Sequence, residues 1–140
     1  MKNKPTDQLM DALTKVSSVE NYIASEQEHL IDDSLSEYLN QILKNKNLKK
    51  SYVIQKAEFN EIYGYQIFSG TRTPSRDKLI SLAFGMQLSL EETQQLLKYA
   101  GFAALYPKSP RDSIIIWSVS RTLTICEANE LLYNQSLPTL

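Results

Sequence analysis

Hydrophobic residues recur at helical spacing along most of the chain. The first pattern places an apolar residue every seven positions, at Leu9, Val16, Ile23 and Leu30, and predicts an acidic amphipathic helical segment over residues 1–34. A pattern of only a few heptads fits a helix that packs on the rest of the protein. A dimer contact is the second interpretation.

Capping residues divide the remainder of the chain into helices. Ser34, Ser89 and Thr124 are each followed three positions later by Glu, which forms a capping box in which the two residues satisfy each other's backbone N–H groups. The predicted helices start near Ser34, cover 50–58 and 60–69, open at Pro74-Ser75, run from Ser89 to Gly101, and cover 110–121 and 125–133. Asn47 and Gly70 can adopt the left-handed conformation that stops a helix. Because Pro110 and the box at Thr124 favour helix over a buried strand at 114–117, the predicted fold class is all-α.

Composition narrows the class of protein. Apolar residues make up 42% and charged residues 22% of the 140 positions, as in ordinary globular domains. Cys126 is the only cysteine, which excludes an intrachain disulfide and a cysteine-based zinc site. No apolar run reaches the roughly 18 residues that span a bilayer, and residues 1–10 lack the apolar core of a signal peptide. The sequence therefore predicts a cytoplasmic protein with no membrane partner.

Charge is unevenly distributed along the chain. The formal net charge is -1, but residues 1–35 carry three lysines against seven acids, whereas 36–106 carry nine basic residues against six acids. Residues 44–56 hold five lysines and no acid. A locally basic surface is typical of a nucleic-acid binder, and an ordinary solvated face is the alternative interpretation.

No catalytic or cofactor-binding pattern stands out in the sequence. His29 is the only histidine and stands in the acidic N-terminal part, where a triad or metal site would lack partners. The sequence holds no phosphate loop of the Gly-x-x-x-x-Gly-Lys type. We therefore expect neither an enzyme, nor a metal site, nor a cofactor.

The chain repeats itself after 35 residues. This shift aligns Arg76-Asp77 with Arg111-Asp112 and the capping box at Ser89 with the box at Thr124. It predicts that the last two helices copy the pair before them and stack on it in the manner of a solenoid. The extension 107–140 would then enlarge the core, with a dimer or ligand surface as the alternative, and the Arg-Asp residues would form structural ion pairs.

Two short helices at a tight turn are followed by the string Gly70-x-Arg72-x-Pro74-Ser75-x-x-x-Leu79-x-x-Leu82-Ala83. Over about residues 35–100 this arrangement resembles the lambda-repressor-like family of XRE or Cro/C1-type regulators. The resemblance implies a five-helix helix-turn-helix domain over 35–106, flanked by the N-terminal segment 1–34 and a C-terminal helical hairpin over 107–140. It also implies binding of double-stranded DNA by a homodimer, because one recognition helix buries little surface.

The resemblance assigns roles to the two short helices. The helix over 60–69 would enter the major groove, and the helix over 50–58 would cross the phosphate backbone. The residues expected to meet DNA are Lys49, Lys50, Ser51, Asn60, Glu61, Ile62, Tyr65, Gln66 and Arg72. Gln66 suits adenine, whereas Lys50 and Arg72 suit phosphates. For Arg72, bracing the domain through a carboxylate is the alternative.

Three positions depart from the family pattern. Glu58 stands where the turn glycine is common, Gly64 where an apolar residue is usual, and Lys49-Lys50 where Thr-Gln is usual. The leading hypothesis is a sequence-specific transcriptional regulator. The alternative is a helix-turn-helix scaffold without DNA affinity that binds a protein partner through the N-terminal helix or the C-terminal hairpin.

Overall fold

The computed structural model describes residues 10–11 and 34–140, and the chain divides into two units between Asp33 and Ser34. The unit that begins at Ser34 contains seven helices and, within the described residues, no strand. The helices are α1 (Leu35–Lys46), α2 (Lys50–Lys56), α3 (Glu61–Ser69), α4 (Arg76–Gly85), α5 (Leu90–Tyr99), α6 (Pro110–Ser120) and α7 (Ile125–Asn134). The all-α prediction is confirmed for this part of the chain. The amphipathic segment predicted over 1–34 lies almost wholly outside the described residues.

Side-chain caps set the starts of these helices, except for α2, where the N-cap residue Lys49 makes no side-chain cap bond. The capping boxes at Ser89 and Thr124 form completely, with both reciprocal hydrogen bonds present. At α1 the Ser34 hydroxyl accepts a bond from the backbone N–H three residues later, which is one half of the predicted box. Pro110 occupies the first turn of α6, and residues 114–117 are helical. Helix is therefore the correct interpretation of this apolar run.

Residues in the left-handed conformation follow several helices. Asn47 (φ 54°) ends α1 and Gly70 (φ 84°) ends α3, as their residue types predict. Gly101 (φ 82°) follows α5, and Ser136 (φ 57°) stands at the same place after α7, 35 residues later. The backbone therefore carries the internal repeat even where the residue type changes.

One apolar cluster runs through all seven helices. Its fully buried members include Leu39 of α1, Val53 of α2, Ile67 of α3, Leu82 of α4, Leu97 of α5, Ile115 of α6 and Leu132 of α7. None of these helices is long enough to be stable alone in water. Burial in a common core is therefore what holds them, and the last two helices belong to that core.

Two reciprocal ion pairs join the repeated segments. Arg76 Nη2 lies 2.9 Å from Asp112 Oδ2, and Arg111 Nη1 lies 2.9 Å from Asp77 Oδ1. Each arginine also donates to two backbone carbonyls of its own segment, at residues 103 and 104 for the first and 138 and 139 for the second. The prediction that these residues form structural ion pairs is confirmed.

The repeat is longer than its helices. Gln94 makes two hydrogen bonds to the backbone of Leu105, through its side-chain oxygen at 2.7 Å and its nitrogen at 3.0 Å. Asn129 makes the same two bonds to Leu140, at 2.7 and 3.4 Å. The repeating unit therefore includes the non-helical segment that follows each helical pair. We call residues 76–105 repeat A and residues 111–140 repeat B.

The two repeats are related by approximate twofold symmetry. The arginine of each repeat pairs with the aspartate of the other, and α4 contacts α7 just as α5 contacts α6. Such an exchange of contacts is isologous, whereas stacking by translation would use different surfaces on the two partners. The predicted solenoid stacking is therefore wrong: the repeats face each other as a dimer within one chain.

Candidate nucleic-acid interface

The turn between α2 and α3 combines a residue in the left-handed backbone conformation with a side-chain cap on α3. Glu58 has φ 60°, in the left-handed region that favours glycine. The side-chain oxygen of Asn60 then accepts bonds from the N–H groups of Ile62 (3.0 Å) and Tyr63 (3.3 Å). Asn60 was predicted as a DNA contact, but in the free protein its side-chain oxygen caps α3.

Gly64 lets α3 approach α2 closely. A Cβ atom at Gly64 would lie 2.5 Å from Ile54 Cγ2 and 2.8 Å from Ile54 Cγ1. Ile54 of α2 therefore fills the space that a side chain at position 64 would need. The departure at position 64 is compensated from the opposite helix, so it fits the crossing of the two helices.

Five of the nine predicted residues come together on one surface. Lys50 of α2 lines a shallow depression with Glu61, Ile62, Tyr65 and Gln66 of α3. Ile62 has 70% of its surface exposed, compared with 39% for Tyr65. This set combines one cation, one anion, two groups that can hydrogen-bond to base edges, and one apolar side chain.

The remaining predicted residues lie around this depression. Ser51 lines a second hollow together with Glu61 and Tyr65. Lys49 is the residue before α2, and its side chain is exposed. Ser69 also lines the first depression, although sequence reasoning did not single it out. Its place three residues after Gln66 is the helical spacing that would have found it.

Arg72 makes a bracing contact within the domain. Its partner is the side-chain amide of Gln66, whereas the alternative interpretation of the sequence was a carboxylate. Arg72 Nε donates to Gln66 Oε1 at 3.1 Å, and the Arg72 guanidinium lies 5.6 Å from the centre of the Tyr63 ring. A bidentate pair between Gln66 and adenine would need the same oxygen to act as acceptor. Because an amide oxygen has two lone pairs, Gln66 Oε1 can accept from Arg72 and from adenine together, and Arg72 would then hold Gln66 in place for that pair.

Cations rest on aromatic rings around α3. Lys50 Nζ lies 5.6 Å from the centre of the Phe68 ring, and Lys78 Nζ lies 5.4 Å from that of Phe59. Among the described residues, neither lysine has a carboxylate at ion-pair distance, and the same holds for Arg72. Ring contacts orient a cation without neutralising it, so these three charges are available to an anion.

Lys78 was not predicted as part of the site. It lies in the first turn of α4 and reaches the ring of Phe59, 19 residues earlier in the chain. No local pattern marks such a residue, because the contact exists only in the folded chain. Glu61 is an exposed acid of this surface, and Glu58 is an exposed acid at the turn before α3.

The left-handed turn predicts that Glu58→Gly stabilises the protein by about 1 kcal/mol, because a non-glycine residue is strained at this φ. Thermal or denaturant unfolding measures the change. Glu58→Ala is the matched control, since it removes the same charge but keeps the Cβ atom. A Glu58→Gly variant no more stable than Glu58→Ala would contradict the proposed strain.

Comparison of the chain with models of protein families, with curated proteins and with solved structures finds no match. Within residues 10–11 and 34–140, the structure shows no group of three or more His, Cys, Asp or Glu residues placed to hold a metal ion. In the same residues, no helix has the length and apolar character needed to cross a membrane.

Proposed function

We propose that this protein is a sequence-specific regulator that binds double-stranded DNA through α2 and α3, with α1 to α5 forming a lambda-repressor-like domain. One observation carries the proposal: α3 presents Ile62, Tyr65 and Gln66 beside Lys50, which has no carboxylate at ion-pair distance among the described residues. Base-reading groups next to unneutralised cations are what a recognition helix requires.

The dimensions of α3 suit the major groove. An α-helix with its side chains is about 10–12 Å across, which matches a groove about 12 Å wide. The exposed side chains at 61, 62 and 65 and the half-buried one at 66 follow the one-face spacing of an α-helix. A single face of α3 can therefore enter the groove while α2 crosses the backbone.

The side chains divide into two roles. Gln66 and Tyr65 can hydrogen-bond to base edges, and Ile62 can contact a thymine methyl group. Lys49, Lys50 and Arg72 would contact phosphates, with the Ser51 hydroxyl as a further donor. Glu61 lies in the first turn of α3, where the helix dipole favours its charge, and it can accept from cytosine N4.

A dimer completes the proposal. One α3 offers few base contacts, so two copies that bind half-sites about 34 Å apart would supply the missing surface. We therefore expect an operator with approximate twofold symmetry.

Fluorescence anisotropy with a labelled pool of genomic duplexes tests the proposal. We expect affinity to fall steeply with salt, and Lys50→Ala to reduce the slope of log affinity against log salt by about one. Lys108→Ala, in the connection between α5 and α6, is the control and should leave the slope unchanged. Absence of binding at low salt would contradict the proposal.

The main alternative is a scaffold that binds a protein instead of DNA. The exposure of Ile62, together with the acids Glu58 and Glu61, favours it. The two functions are separated by Gln66→Ala. On DNA it should weaken the preferred duplex about tenfold and leave unrelated duplexes unchanged, whereas a protein-binding scaffold would show no preferred duplex to lose.

A further inference from the structure

The two repeats differ in how much of each surface is covered. The faces that meet between them are equivalent: Ile80 and its counterpart Ile115 are both fully buried, as are Leu97 and its counterpart Leu132. The repeats therefore bury matched inner faces against each other.

Within residues 34–140, the outer face of repeat A is covered and that of repeat B is open. Leu79, Leu82 and Leu96 of repeat A are fully buried. Their counterparts in repeat B are Ile114, Trp117 and Leu131, which line an open groove between α6 and α7. Trp117 is 46% exposed, whereas Leu82 at the same repeat position is 0% exposed.

Helices α1 and α2 both pack on repeat A: α2 contacts α4, and α1 runs antiparallel to α5, with side-chain contacts at both ends. At one end, the Tyr38 ring stacks on the Tyr99 ring with centroids 4.2 Å apart. At the other end, Lys46 Nζ lies 3.0 Å from Glu92 Oε2. Leu39 of α1 is buried in the core between these two contacts. An amphipathic helix with an aromatic residue and, eight positions later, a lysine therefore fits this face.

Repeat B retains the acceptor for such a lysine. Glu92 uses Oε1 to cap α5 and Oε2 to bind Lys46. Glu127, at the same position of repeat B, uses Oε1 to cap α7. Among the described residues, no lysine or arginine lies at ion-pair distance from Glu127. Its carboxylate and the apolar groove together form a surface that is complementary to a basic amphipathic helix.

We propose that the groove of repeat B binds an amphipathic helix of a partner protein, antiparallel to α7, with a lysine or arginine of that helix paired to Glu127. The apolar residues of the partner would contact Ile114, Trp117 and Leu131, at spacings of three and four residues. This surface lies on α6 and α7 and does not depend on DNA binding by α3.

The sequence supplies both a probe and a reporter. The probe is a synthetic peptide of residues 34–47, the segment that packs on α5 of repeat A, held helical by a lactam between Glu37 and a lysine introduced by Gln41→Lys. Both of these positions are exposed in α1. The reporter is Trp117, the only tryptophan in the chain, which lies in the groove of repeat B.

Addition of the peptide to the full chain is expected to shift Trp117 emission to shorter wavelength in a saturable manner, because the peptide would exclude water from the indole. Leu131→Glu should abolish the shift while circular dichroism shows that the fold is kept. A peptide with Leu39→Asp should cause no shift. No shift at millimolar peptide, or an equal shift with folded Leu131→Glu, would overturn the proposal.

The ion pair is tested by a double-mutant cycle that does not depend on Leu131. Glu127→Gln keeps the cap, since Gln also serves in a capping box, and should weaken the wild-type peptide about threefold. A peptide with Lys46→Gln should bind both proteins equally. Additive effects would overturn the pairing. If the protein forms a concentration-dependent dimer that buries Trp117 before peptide is added, the occupant of the groove is a second copy of this chain, and the proposed partner helix is wrong.

Discussion

Replacing Asp112 with alanine is expected to lower the free energy of unfolding by roughly 3 kcal/mol. Its carboxylate, with 10% of the side chain exposed, binds the Arg76 guanidinium at 2.9 Å and accepts from Tyr106 N–H at 3.0 Å. Without it, a partly buried cation and a backbone N–H both lose their acceptor. Chemical denaturation followed by circular dichroism measures the loss.

The repeat provides the matched control for this variant. Asp77 makes the equivalent ion pair with Arg111, but 43% of its side chain is exposed. Water can replace the lost partner there, so Asp77→Ala should cost less than about 1 kcal/mol. Equal losses for the two alanine variants would contradict the proposed role of burial.

Gly85→Ala is expected to destabilise the protein by about 2 kcal/mol. A Cβ atom at this position would lie 2.6 Å from the Val53 carbonyl oxygen and 3.1 Å from the Ala57 nitrogen. Both are backbone atoms of α2 and its end, so they cannot rotate away as a side chain can. The helix that would cross the DNA backbone would have to move, and unfolding in denaturant would record the cost.

Ser120 is the control for Gly85. It occupies the same position in repeat B, at the end of α6, and is exposed. Ser120→Ala should therefore change stability by less than about 0.5 kcal/mol. If Gly85→Ala proved as mild as Ser120→Ala, the close approach of α2 to α4 would not constrain the residue at 85.

The helices could be predicted from the sequence because their boundaries depend on local chemistry. Ser89 and Thr124 cap the helices that follow them, and Asn47 and Gly70 adopt the left-handed stops expected of their residue types. Each of these signals lies within a few residues of the feature that it specifies. The 35-residue repeat was also visible, because Arg and Asp recur together at 111 and 112.

The arrangement of the repeats could not be predicted in the same way. A sequence repeat shows that two segments share a structure, but translation and twofold rotation leave the same pattern in the sequence. The exchange of partners between Arg76–Asp112 and Arg111–Asp77 distinguishes them, and it requires coordinates. The groove at Trp117 could not be predicted either, because it depends on how the helices pack.

At the candidate interface, the sequence predicted which residues share a surface, but it did not predict the hydrogen bonds between them. Lys50, Ile62, Tyr65 and Gln66 do share one surface, since helical spacing alone groups most of them. The bond from Arg72 to Gln66 could not be foreseen, because it joins residues on either side of the stop at Gly70. The compensation of Gly64 by Ile54 likewise depends on how two helices cross.

The most direct measurement of the proposed function is selection of duplexes from a random-sequence pool by the full chain, followed by the same selection with Gln66→Ala. We predict enrichment of a motif with two half-sites in approximate twofold relation, and loss of base preference at one position of each half-site in the variant. Recovered sequences that match the input pool would contradict the proposal.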